Sequence, residues 1–203
     1  PTWQIAAHWH ETASQKDGTI KRRTAYRPLE EMIIQGPLIH VANSLYKTPR
    51  RVSKNNSDYD VVDLCNISKN YMPRTNYGPS VSMDEYRRRM TKCRWDQIKS
   101  HGDFYRLAIR KMIALNGERS LIAAMIPKRI LHTHGIESIA VQRIDDLISL
   151  SSLFCSVIFD FFIKASGTDN IGSSVISRLP YTRSSRAAKL RFLLLSCLTE
   201  NFS

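Results

Sequence analysis

No stretch of this sequence is long and apolar enough to span a bilayer. The most apolar one, Leu147 to Ile163, is interrupted by Ser149, Ser151, Ser152, Ser156 and Asp160. No secretory signal opens the chain. Cysteine is scarce: Cys65, Cys93, Cys155 and Cys197 lie far apart and form no C-x-x-C. That speaks against a disulfide scaffold and for a reduced, cytoplasmic protein. The P-loop, the G-x-G-x-x-G turn and H-E-x-x-H are all missing, so three common phosphate- and metal-based chemistries lack their sequence carriers. Internal repeats and low-complexity tracts are absent too. Carboxylates are the other shortage: 18 Asp and Glu face 30 Lys and Arg, for a net charge of +12. Such a surplus calls for an anionic partner, nucleic acid before membrane.

The cations are grouped. Between Gly36 and Arg51 an apolar segment runs into Asn43, Tyr46, Lys47, Arg50 and Arg51, with no carboxylate among them, and Lys54 follows. Lys and Arg neutralise phosphates, Tyr stacks on bases, and Asn pairs with base edges. Three more groups occur: Arg74 with Asn76 and Tyr77 in a Pro-flanked loop; Arg87, Arg88 and Arg89, with Lys92 and Arg94 behind; and Lys128 with Arg129, followed by His132 and His134. Any one charge run is an ordinary solvated face, and it is the recurrence that points to nucleic acid.

The hydropathy pattern predicts an α+β fold: a mixed or antiparallel sheet with long loops, then a helix-rich C-terminal part. Residues 1–143 form the strand- and loop-rich basic part, and residues 144–203 a helical part packing on it. Strands are expected within residues 1–20, at Leu38–Ala42 and at Tyr59–Leu64. Lys21-Arg22-Arg23 and residues 66–79 read as loops, and Leu29–Ile34 fits either a strand or a helical turn. Ser82 with Glu85 marks a helix start. Phe104–Ile113 and Ser120–Ile126 form a hairpin across a turn at Asn116-Gly117, with Ile136–Val141 as a third strand. Phenylalanines at three-to-four spacing predict one long buried helix from Asp145 to Gly167. A last helix, 184–198, should turn Ala188, Leu190, Leu194 and Leu195 inward and Arg186, Lys189 and Arg191 outward. Opening on Pro1 without a Met, the chain reads as one piece of a longer polypeptide.

Catalytic constellations are thin. His8/His10 and His132/His134 are H-x-H pairs without further ligands at metal spacing. Asp58, Asp60 and Asp63 would suit a metal-dependent nuclease, but no Lys or Glu completes the pattern, and solvated turn acids account for them as well.

Several segments in order carry a resemblance: Gly36-Pro37 to Asn43-Ser44-Leu45-Tyr46-Lys47-Thr48-Pro49-Arg50; Asp60-Val61-Val62-Asp63-Leu64 with Tyr71-Met72-Pro73-Arg74-Thr75-Asn76-Tyr77; Tyr105 to Arg110 before Glu118-Arg119-Ser120 to Pro127; Gly172 to Pro180; and Leu195 to Thr199. From Met32 to Thr199 this succession resembles the region following the catalytic domain in large adenine-N6 DNA methyltransferases of fused restriction–modification and phage-defence systems, which are prokaryotic. The resemblance implies a target recognition region that grips double-stranded DNA beside an N-terminal catalytic methyltransferase domain or subunit. It makes Glu118-Arg119 and Pro127 parts of the sheet core and turns the basic loops to DNA. S-adenosylmethionine would bind the catalytic domain, since the N-P-P-Y tetrad and Gly-rich turn are absent here, and no catalytic residue, cofactor or metal is expected in this chain. The expected DNA contacts are Asn43, Tyr46, Lys47, Arg50, Arg51, Lys54, Arg74, Asn76, Tyr77, Arg87, Arg88, Arg89, Lys128 and Arg129. The alternative is an interaction or scaffold domain of a defence complex.

Overall fold

A computed structural model describes residues 2–113 and 117–202. The elements are β1 (Trp3–Ala6), α1 (Ala13–Lys16), β2 (Ile20–Ala25), β3 (Ile33–Ile34), β4 (Lys47–Pro49), β5 (Tyr59–Val61), β6 (Thr75–Pro79), α2 (Met83–Arg88), β7 (Lys92–Cys93), β8 (Asp96–Ser100) and β9 (Arg106–Arg110). Then come β10 (Ala123–Ile126), β11 (Leu131–His132), β12 (Ile136–Val141), α3 (Ile144–Phe154), α4 (Val157–Ala165), α5 (Ser173–Ile176) and α6 (Arg186–Ser196). The fold is α+β, with a helical C-terminal part.

One sheet, ordered β1-β12-β9-β10, is antiparallel throughout. Its hairpin and third strand match the sequence expectation, although Asn116 of the expected turn lies outside the described residues. Both faces of this sheet are covered. Leu107, Ile109, Ala123 and Ile139 pack under α3 and α4 with Phe154, Phe159 and Ile163. Ala108, Ala124, Ile126 and Ile136 pack into a second core with Leu38, Ile39 and Leu45. Burial on two faces explains why Leu121–Ile126 is an unbroken apolar run rather than an alternating one.

A second sheet, β11-β3-β6-β2, is mixed: β11 runs parallel to β3 and the other pairs are antiparallel. Trp9 and Tyr86 close it beneath α2, where the indole N–H donates to the Tyr86 hydroxyl at 2.8 Å. The ribbons β4-β5 and β7-β8 extend from this body.

Five expectations are corrected. Lys21-Arg22-Arg23 lies in strand β2, because its backbone pairs with β6 while the side chains reach solvent. Leu38–Ala42 is no strand. Pro37 starts a tight turn at Gly36–Leu38, and Ala42 takes φ 61°, so the segment folds back on itself between His40 and Asn43. The stretch 66–79 ends in β6, an inner strand. The single long helix is two, α3 and α4, bent by 62° at Cys155-Ser156, where the Ser156 hydroxyl caps the Phe159 N–H. In α6 the inward residues are Phe192 and Ser196, whereas Ala188, Leu190, Leu194 and Leu195 are exposed, and Lys189 turns in to meet Asp145 at 2.6 Å. No single helix among the described residues is long and apolar enough to cross a membrane.

Candidate nucleic-acid interface

The β4-β5 hairpin pairs Lys47 with Val61, Thr48 with Asp60 and Pro49 with Tyr59. Its loop is closed by Asp58, whose carboxylate accepts the Lys54 and Asn55 N–H groups at 2.8 and 2.9 Å. Those two bonds hold the Asp58 carboxyl below the usual carboxylate range. Arg50 reaches Asp60 at 2.8 Å, and that hydrogen bond raises the guanidinium pKa. Both groups are exposed, so the pair contributes little stability and opens readily to a phosphate.

Arg74 ties this hairpin to the second sheet. Its backbone N–H donates to Thr48 Oγ1 at 3.0 Å, its Nε donates to the Pro49 carbonyl at 2.8 Å, and its Nη1 donates to the Tyr26 hydroxyl at 3.0 Å. The guanidinium carbon stands 5.3 Å from the Tyr26 ring centroid, a cation–π geometry. Tyr26 is 65% exposed. From β2, Arg22 donates to the Ser53 carbonyl at 2.5 Å. Arg50, Arg74 and Tyr26 are thus held together at the hairpin, and Arg22 reaches its loop through the Ser53 carbonyl. Arg51 and Lys54 are exposed in that loop, whereas Lys47 stands over the Tyr46 ring. The hairpin's carboxylates are Asp58, spent on loop N–H groups, and Asp60, spent on Arg50. Arg51 makes no ion pair among the described residues.

The other expected contacts lie elsewhere. Asn43 is buried, its amide oxygen accepting the Leu45 N–H at 2.7 Å while its NH2 points to the Leu195 carbonyl. It is a brace of the chain reversal, not a base reader, because its donors and acceptor turn inward. Asn76 and Tyr77 are buried as well. The Asn76 amide donates to Gln35 Oε1 at 2.9 Å and to the Tyr59 hydroxyl at 2.8 Å, and accepts from Thr24. Tyr46 is half-buried, its ring 4.5 Å from that of His40, with the Lys47 ammonium 5.3 Å from its centroid.

Arg87, Arg88 and Arg89 sit on α2 among their own acids. Arg88 meets Glu85 at 2.8 Å, Arg89 meets Glu85 at 2.8 Å, and Arg87 lies 3.9 Å from Asp84. Lys128 stands over the Tyr105 ring and Arg129 pairs with Glu30 at 3.0 Å. Arg87, Arg129, Glu30 and Asp103 line a shared cleft of ≈ 260 Å³. Two arginines against two acids give it no charge surplus.

Asp63 accepts from the Cys65 N–H and the Asn66 side chain, so each acid of the Asp58-Asp60-Asp63 series has a turn or a cation to hold. Among the described residues no group of three His, Cys, Asp or Glu is placed to take a metal ion. The two H-x-H pairs face each other across the bridge between Trp9 and Thr133: His8 and His132 turn inward with ring centroids 4.5 Å apart, whereas His10 and His134 are exposed with ring centroids 5.5 Å apart.

Tyr26 was not anticipated as part of this face, and Arg22 only as one member of a basic run. Residues 20–25 show no alternation that would mark a strand at Arg22, and nothing local marked Tyr26. No family model and no curated protein matches the chain.

Proposed function

We propose that this chain binds double-stranded DNA as the target recognition region of an adenine-N6 DNA methyltransferase, with the chemistry supplied by a separate catalytic domain or subunit. The observation that carries this reading is the face built from β2, the β4-β5 hairpin and Arg74. Arg22, Arg50 and Arg74 stand there with the exposed loop cations Arg51 and Lys54, against two already engaged carboxylates and beside the open Tyr26 ring. Arg22, Lys47, Arg51 and Lys54 contact phosphates. Arg50 exchanges Asp60 for phosphate on binding, and Arg74 with Tyr26 approaches the bases. The ordered segments that resemble such recognition regions support the same reading.

Duplex affinity is expected to fall steeply with salt, log K against log [salt] having a slope of about −0.9 per phosphate neutralised. Arg51→Ala should make that slope shallower by about one and weaken all sequences alike. Fluorescence anisotropy over a salt series checks both. Affinity insensitive to salt would end the DNA reading.

The helical end supports the expected partnership with the catalytic unit. Val157, Ile158, Phe161 and Phe162 of α4 are all exposed, Val157 by 72%. Exposed apolar side chains grouped on one short helix suit a protein partner. Phe161→Ser should abolish co-purification with that catalytic unit and leave duplex binding unchanged; retained assembly would remove the helical end from the interface.

A further inference from the structure

Behind the hairpin lies a cleft of ≈ 270 Å³ whose two walls differ in kind. One wall is a closed hydrogen-bond network. Gln35 Nε2 donates to Glu11 at 2.9 Å, while the Tyr59 hydroxyl (3.0 Å) and the Asn76 amide (2.9 Å) both donate to Gln35 Oε1. The Tyr77 hydroxyl approaches the second Glu11 oxygen at 3.5 Å.

The opposite wall has donors left over. Arg110, at the end of β9, is half-buried, and its guanidinium has no hydrogen-bond or ion-pair partner among the described residues. Its arm is held beside the Gly36 backbone: a Cβ at Gly36 would lie 3.5 Å from Arg110 Cγ and Nε. Burial lowers its pKa, yet an arginine keeps its charge. Thr133 follows β11, is 1% exposed, and its hydroxyl is buried without a partner. Such a group ordinarily costs about 1–3 kcal/mol. Arg22 and Lys54 line the same cleft from its exposed side. Three cations against Glu11 leave the lining positive, and its unmet groups are a guanidinium that only donates and a hydroxyl that can donate. Such a lining suits an acceptor-rich anion.

We propose that this cleft binds a phosphate group, with the Arg110 guanidinium and the Thr133 hydroxyl as inner ligands and Arg22 and Lys54 closing over it. A tetrahedral oxyanion offers acceptors in several directions, which a guanidinium fork and a hydroxyl engage together. Glu11 on the facing wall favours a phosphate carrying a neighbouring N–H or O–H donor, as a nucleotide does. The duplex backbone and a free nucleotide supply the same chemistry. Only the choice of the backbone rests on the function proposed above.

The test titrates the 203-residue chain with inorganic phosphate, with a mononucleotide, and with a blunt duplex spanning two helical turns. The variants are Arg110→Gln, Thr133→Val and, as a charge control on the helical end, Arg178→Ala. Thr133→Val removes a hydroxyl that has no partner, so the fold should hold or gain stability, and lost binding in it is not misfolding. Arg110→Gln should weaken the phosphate probes by about tenfold to a hundredfold, Thr133→Val by a smaller factor, and Arg178→Ala not at all. A parallel loss for the duplex assigns the phosphate to the DNA backbone. A loss confined to phosphate and mononucleotide keeps the site and makes its ligand a free nucleotide. Wild-type phosphate affinity in both cleft variants overturns the proposal. If salt-sensitive duplex binding then persists, the DNA reading stands alone; phosphate binding without duplex binding sinks the DNA reading and leaves the cleft.

Discussion

Lowering the pH from about 6.5 to about 4.5 is expected to unfold this protein, and histidines rather than carboxylates should set that window. His8, His101 and His132 meet in the interior, with His8 Nε2 3.3 Å from His101 Nδ1 and the His8 and His132 rings 4.5 Å apart. Burial is the main cause that pushes all three pKa values down, His101 to about 3, and the neighbouring Arg106 charge adds to it. Arg106 is itself fully buried. It donates to the carbonyls of Phe104, Pro127 and Ile130 and makes no ion pair among the described residues. A second positive charge there would be uncompensated.

The sign follows from linkage. Above about pH 6.5 the imidazoles are neutral in both states and stability does not depend on them. Below it the unfolded chain takes up protons that the folded chain refuses, so stability falls with pH until the folded values are reached. Each imidazole contributes about 1.4 kcal/mol per pH unit. Two to three of them over two units amount to roughly 5–8 kcal/mol, comparable to the whole stability of a domain. Asp17, Asp58, Asp63, Glu85, Asp96 and Asp145 have lowered pKa values from exposed hydrogen bonds, and their contribution disappears only at lower pH. Urea melts across the range should show the fall, and His101→Gln should reduce the slope by about one proton. A stability unchanged between pH 7 and 5 would sink the account.

Strands β9, β10 and β12 of the antiparallel sheet were legible in the sequence because they lie close in the chain and two of them form a hairpin. Strand β1, by contrast, joins β12 from the other end of the chain, a pairing no local reading contains. The second sheet was not legible. Strands β3 and β11 have two residues each, and β6 carries Gly78 and Pro79, residues that signal a loop to any local reading. Its order is set by long-range pairing, which no window of sequence contains. The break between α3 and α4 escaped for another reason. The phenylalanine spacing continues across Ser156, so periodicity alone sees one helix, and the capping serine was the only local sign. In α6 the leucine stripe was the wrong one to follow, since leucines remain exposed and Phe192 packs inward.

Candidate contacts divide along a similar line. Arg50, Arg51 and Lys54 of the hairpin loop are exposed, and of these Arg50 meets Asp60, ten residues on, across the hairpin. Asn43, Asn76 and Tyr77 were chosen for side-chain chemistry that the interior uses instead; a buried amide in a network looks like an exposed one until the fold is known. The ion pairing of the α2 arginines was readable in advance, since Asp84 and Glu85 stand three and four residues from Arg87, Arg88 and Arg89.

Asp160→Ala should be among the most damaging substitutions outside the basic face, costing about 3–5 kcal/mol. Asp160 lies in α4 and is 4% exposed. Its Oδ1 accepts the backbone N–H groups of Ser120 and Leu121, both at 2.7 Å, and lies 3.5 Å from Arg119 Nε; its Oδ2 lies 3.8 Å from Lys164. Arg119 in turn donates to the carbonyls of Cys155 and Ser156, at the bend between α3 and α4. One carboxylate therefore fixes the entry to β10, the path of α4 and the guanidinium that covers the helix end. Alanine strands two buried N–H donors and leaves Arg119 and Lys164 without their shared counter-charge. Asp160→Asn keeps an acceptor for one N–H and should cost less, about 1.5–3 kcal/mol. Urea denaturation should show a lower midpoint with an unchanged slope, and the Ser120 and Leu121 amides should exchange faster with solvent. A loss below about 1 kcal/mol would mean that water or Arg119 replaces the carboxylate. Under the proposed function the folded fraction should bind duplex as the unsubstituted chain does, because Asp160 touches neither the hairpin nor β2, and that separation distinguishes a loss of fold from a loss of the proposed binding face.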